Sequence, residues 1–203
     1  MTDHSKGIRV VVINGTVRPG NYTSMASALV MDELKKEPGV QAHLINPADY
    51  HLPFPGVDPH APGTRKLQEE VKEATAVILA TPEYHGSFSS VMKLVIENLG
   101  FPSVLAGKPV GLLGVAAGSA GAIKSLEQLR SVCSHIGAIV LPLAVSVPNV
   151  QKVFDSSGHP LDPAIEKLVR SVPTNVLNYV KQNLCPAVTL ERLLRNGAAT
   201  AGV

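Results

Sequence analysis

Cysteine is scarce: only Cys133 and Cys185 occur in 203 residues, far apart and in no CxxC or metal-ligand spacing. That excludes a cysteine-built metal centre, suits a reducing compartment, and leaves both thiols as small apolar side chains. An excess of one charge is also lacking. Eighteen basic residues against 16 acidic ones leave a formal charge of +2, and the basic residues are scattered. There is then no electrostatic footprint for nucleic acid or an anionic membrane, and neither is expected as a partner. No apolar run approaches the ~18 residues of a membrane span, and the leading MTDHSKG holds no apolar signal core. A soluble, cytoplasmic protein is expected. Repeats and low-complexity tracts are missing as well.

What is present is an alternation. Apolar segments at 8–13, 42–45, 76–80, 109–116 and 139–147 are separated by helix-like stretches at 23–37, 64–74, 89–99, 121–136 and 163–183. Such βα alternation predicts an α/β fold, a doubly wound five-stranded parallel sheet in three α/β/α layers, with right-handed crossovers. One domain over 1–185 suffices, long enough to bury roughly 70% of its unfolded surface. Residues 186–203 read as a tail with room for a short helix over 188–195 and a frayed end.

An open sheet of this kind binds ligands outside the carboxyl ends of its strands. The loops after the first, third and fourth apolar segments read GTVRPGNYTS, TPEYHGSFSS and AAGSAGA, whereas the opposite-edge turns GVQAH and AGKPV carry little chemistry. In the first loop Thr16 and Thr23 offer hydroxyls, Asn21 an amide and Arg18 a fork of donors, ahead of a helix whose first N–H groups lack internal partners. A phosphate monoester satisfies such a set; a loop that merely caps its own helix through Thr23 or Ser24 is the plainer reading. GxGxxG is absent after the first strand, and Gly20 is followed by Asn21 rather than Lys, so dinucleotide-fold and P-loop chemistry are disfavoured.

In the second loop Pro82 keeps Thr81 extended and Gly86 permits a turn. Exposed backbone there suits a flat heteroaromatic ring, with Tyr84 against its face or walling the pocket. His85 has no His, Cys or carboxylate partner at catalytic spacing, so loop shaping or a hydrogen bond to ligand is the expected role. Glu83 has no partner carboxylate either, and a backbone-capping or inter-subunit contact accounts for it equally well. The third loop, around Gly118 and Ser119, is crowded with small residues that allow close approach.

Together, GTVRPGNYT, TPEYHGS and AAGSAG resemble the NADPH-dependent FMN reductase family of flavodoxin-like flavoproteins, which includes chromate, quinone and azo-dye reductases. The resemblance covers about the first 150 residues. It implies that Thr16, Arg18, Asn21, Tyr22 and Thr23 hold the FMN phosphate. By the same token Pro82, Glu83, Tyr84, His85, Gly86 and Ser87 lie at the flavin ring, and Gly118 and Ser119 near its far edge. The first loop departs from the usual GSxRxxSxN by swaps that keep hydrogen-bonding capacity, and His85 stands where Asn is frequent. Further implied are NADPH or NADH as co-substrate, a quinone-like or other small acceptor, ping-pong kinetics, and no catalytic side chain or metal. A flavodoxin-like electron carrier and a flavin-binding regulatory module are the alternatives. Between Ser90 and Leu99 only a narrow polar strip interrupts an apolar helix, which a partner chain would cover; relatives are commonly homodimers or homotetramers. The Pro-, His- and Gly-rich stretch 46–63 is long enough to be functional or mobile.

Overall fold

A computed structural model describes residues 7–186 and 189–191. Its elements in order are β1 (Ile8–Asn14), α1 (Tyr22–Lys35), β2 (Val40–Ile45), α2 (Pro62–Glu73), β3 (Ala76–Tyr84), β4 (Ser87–Phe88), α3 (Ser90–Glu97), β5 (Pro109–Val115), α4 (Ile123–His135), β6 (Ile139–Val140), β7 (Val145–Val147) and α5 (Pro163–Tyr179). The sheet runs β2-β1-β3-β5-β6, with β7 also pairing β5 and β4 pairing β3. All pairs are parallel except β3 with β4.

The central strands are apolar throughout because both of their faces are covered. Val10 and Val12 of β1 pack with α1 and α5, including Leu34, Val169 and Val176. Val11 and Ile13, the alternate residues, pack with Leu67 of α2, Val95 of α3 and Leu129 of α4 on the other side. This is the expected three-layer architecture. Cys133 lies in the second core, where burial pushes its thiol up to about 12. Cys185 is exposed, and both cysteines are free.

The sheet has seven strands rather than the expected five, for two local reasons. The segment 139–147 is broken into β6 and β7 because Pro142 has no N–H to give to a ladder and Leu143 adopts a left-handed φ of 64°. At the other break, β3 runs past its buried part and folds back into β4, pairing Glu83 with Phe88 and Tyr84 with Ser87. The two residues between, His85 and Gly86, have φ of 51° and 72°. Both centres positive is the requirement of the tight hairpin turn that matches strand twist.

Stretch 46–63 carries a short 3-10 turn, Pro47–Asp49, capped by Asn46. Beyond α5 the chain passes through a π turn, Val180–Leu184, into helical residues 185–186 and 189–191. The remainder of the expected 188–195 helix and the frayed end lie outside the described residues. Among the described residues no helix is long and apolar enough to cross a membrane. No group of three or more His, Cys, Asp or Glu among them could hold a metal ion.

Candidate functional site

Strand register brings the three loops to one rim. Asn14, the last residue of β1, faces Ala80 of β3, and Pro82 of β3 faces Val115, the last residue of β5. From β1 the chain leads to β2 on one side, whereas β3 lies on the other, so the strand order reverses between β1 and β3. That is where doubly wound sheets open a ligand crevice.

The first loop is drawn tightly onto this rim. Gly15 N–H donates to Ala80 O at 2.6 Å, and the Ser89 hydroxyl, which caps α3 by accepting from Met92 N–H, donates to Gly15 O. A Cβ on Gly15 would lie 2.7 Å from Ala80 O and 3.1 Å from Thr81 Cα, so only glycine lets β1 turn this close to β3. Thr16 is buried and its hydroxyl accepts from Arg18 N–H at 3.2 Å. The helix cap falls on Asn21, two residues before the plainer sequence expectation: its Oδ1 accepts from Ser24 N–H at 2.7 Å while its Nδ2 donates to Arg18 O at 2.5 Å. Thr23 is buried, and the Tyr22 ring packs half-buried against the core on the α1/α5 face. Arg18 is exposed and makes no ion pair among the described residues, and the first turn of α1 holds no acid. A guanidinium, the first-turn N–H groups that the Asn21 cap does not take and no competing carboxylate form a set of donors suited to a phosphate.

Next along the rim stands the β3–β4 hairpin. Tyr84 is 44% exposed, His85 is exposed at the turn, and Pro82 is buried. Glu83 points its carboxylate at α4: Oε2 accepts from Ser125 N–H at 3.1 Å. Residue Ala122 at the start of α4 has no side chain able to cap, so Glu83 serves that end of the helix, and the dipole there favours its charge. Ser87 turns the same way, donating to Gln128 Oε1 at 2.7 Å, and Gln128 Nε2 donates to Gly86 O at 3.0 Å. Gln128 thereby clamps the turn to α4.

Gly118 and Ser119 are exposed on the third loop. Gly118 O accepts from both Gly121 and Asn149 N–H, Ala116 O accepts from Val150 N–H, and Gln151 Nε2 donates to Ala117 O. The segment 148–161 is thus strapped to the third loop. Its far end reaches α1, where a Cβ on Gly158 would meet Met25 Cγ at 3.4 Å. Within the strap, the Ser157 hydroxyl and the His159 backbone hold the Asp155 carboxyl down at about 2, so it is ionised across the neutral range.

Several residues that organise this rim had no sequence signal for the distant contacts they make. Ser89, Gln128 and Gln151 act across 74, 41 and 34 positions of chain. Asn14 reads as the polar end of an apolar strand, yet it is buried, with Nδ2 donating to Thr16 O at 3.2 Å and to Ser24 Oγ at 2.7 Å. Its Oδ1 is buried without a partner among the described residues. An orphaned acceptor costs about 1–3 kcal/mol. A separate cavity of about 690 Å³ lies between α3, the end of α4 and residues 53–59, and none of the predicted site residues lines it.

Fold and rim together define a flavodoxin-like α/β protein with an acid-free, donor-lined loop beside an exposed hairpin. Among solved structures the chain is similar to FerB, a flavoenzyme NAD(P)H:(acceptor) oxidoreductase from Paracoccus denitrificans, with a TM-score of 0.73 at 18% identity over 86% of this chain and 98% of that one. An NADH:FMN oxidoreductase in its apo form gives a TM-score of 0.68, also at 18% identity, over 84% and 89%. In sequence it is 30% identical to an NAD(P)H-dependent FMN reductase of Pseudomonas aeruginosa, over 82% of this chain and 91% of that protein. An NADPH azoreductase of a Bacillus species is 29% identical over 87% and 98%. The profile of the NADPH-dependent FMN reductases matches residues 8–152. The chain belongs to that family, and is an oxidoreductase that depends on FMN and a nicotinamide co-substrate.

Proposed function

We propose that this chain oxidises NADPH or NADH and reduces a quinone-like or other small acceptor by a ping-pong route, both substrates using one position above the flavin. The observation that carries this is the acid-free cradle of Arg18 and the α1 amino terminus, one strand away from the exposed β3–β4 turn. Phosphate at the first and ring at the second would span the β1/β3 crevice. FMN, when bound, supplies the hydride acceptor and donor. The chain's own contribution is placement and charge. Arg18 and the α1 N–H groups neutralise phosphate, with Thr16, Asn21, Tyr22 and Thr23 shaping the loop. The backbone from Pro82 to Ser87 lines the ring, with donors steadying negative charge on it, and Gly118 and Ser119 border the far edge. Glu83 acts through α4, and His85 sets the turn. A cytoplasmic setting accords with the two free thiols.

Purification should give a yellow protein whose released flavin is FMN at about one per chain, and NADPH or NADH should bleach it. Initial rates at several acceptor concentrations should give parallel double-reciprocal lines. Intersecting lines would remove the shared position; a colourless protein that refuses micromolar FMN would remove the whole reading.

The assembly we propose is a homodimer or homotetramer. Phe101 is 102% exposed and Phe54 75% exposed, both lining the 690 Å³ cavity beside α3. Val91 and Leu94 of α3 are only half-buried. Phe101→Glu is expected to lower the mass measured by sedimentation toward that of one chain; an unchanged mass places the interface elsewhere.

A further inference from the structure

We propose that Asn14 is a positioning residue that sets the direction of the Ser24 hydroxyl, making Ser24 a donor to the phosphate that adds to Arg18 in discriminating FMN from unphosphorylated flavin. The proposal rests on the FMN reading above. The argument begins with the amide. Thr16 O is a carbonyl and can only accept, so the Asn14 atom 3.2 Å from it must be the NH2 group, whichever way the amide is first drawn. The second proton of that NH2 faces Ser24 Oγ at 2.7 Å. Ser24 Oγ must therefore accept. A hydroxyl carries one proton, and here it goes to no acceptor among the described residues.

Ser24 stands in the first turn of α1, three residues after the Asn21 cap. Side chains of a helix lean toward its amino terminus, so the Ser24 hydroxyl lies over the turn that presents the free N–H groups. An ionised phosphate monoester has only acceptors to offer, and a hydroxyl that could turn its lone pairs outward would repel it. Asn14 removes that option. It does so while leaving its own Oδ1 buried and unpartnered, an arrangement that stability alone does not favour.

The test compares FMN with riboflavin, which lacks the phosphate, on the full chain stripped of flavin. Dissociation constants come from quenching of flavin fluorescence. Ser24→Ala is expected to raise the FMN constant about tenfold and to leave that for riboflavin within about twofold, the scale of a lost bond to a charged group. Asn14→Leu should weaken FMN in the same selective way by freeing the Ser24 hydroxyl to rotate, and in the Ser24→Ala background it should add little further loss, because no hydroxyl is left to orient. FMN and riboflavin weakened in parallel, or losses that simply add in the double variant, would show an ordinary structural role and overturn the proposal. An unchanged FMN constant for Ser24→Ala overturns it even if Asn14→Leu does not fold. A wild-type chain that binds neither flavin defeats the parent reading instead, which this comparison registers separately.

Discussion

Gly15→Ala is expected to lower stability by about 2–3 kcal/mol, at the upper range for forcing one extra carbon into a close-packed place, and to abolish FMN retention. The added methyl would collide with Ala80 O, the same carbonyl that accepts the Gly15 N–H, and would press on Thr81 Cα. Both obstacles are backbone of the buried part of β3, and neither can swing aside as a side-chain tip could. Relief requires β1 to part from β3 where the strand order reverses, which separates the cradle from the hairpin. Denaturant midpoints and flavin occupancy after gel filtration check the two halves of this expectation. A variant with wild-type midpoint and full occupancy would show that the junction tolerates a gap.

Arg18→Ala should behave in the opposite way. Arg18 is exposed and makes no ion pair among the described residues, so its loss should leave the denaturant midpoint within about 0.5 kcal/mol of wild type. The FMN dissociation constant should rise about 10- to 100-fold, since a charge-assisted bond to phosphate is worth roughly 1.5–3 kcal/mol. At saturating FMN the turnover number should change little, because the place proposed for the guanidinium is at the phosphate and not at the reacting ring. Added salt should weaken FMN binding more in wild type than in the variant. Unchanged FMN affinity in Arg18→Ala would reject the phosphate assignment.

The layers of the fold were readable because β1, β3 and β5 are covered on both faces and so are apolar almost without interruption. Segment 139–147 looked equally apolar, but one missing N–H at Pro142 and one left-handed residue at Leu143 divide it, and apolar pattern does not report either. The hairpin has no sequence signature for a related reason: β4 is two residues long, and its turn is His-Gly where Asn-Gly or Asp-Gly would signal it. Loop residues at the rim could be picked out from their chemistry and their place after strands. Their actual partners could not. A backbone-capping contact was open to Glu83 from the sequence, but not that the backbone is the uncapped start of α4, and nothing in the sequence brings Asn14 against Ser24 of the next helix.

Cradle, hairpin and strap hang from different strands and are fastened by different residues: Asn14 and Ser89 for the first, Glu83 and Gln128 for the second, Asn149 and Gln151 for the third. Each can therefore be rewritten without editing the others. Variation confined to 148–161 would leave the fastenings of cradle and hairpin in place, since neither passes through that segment.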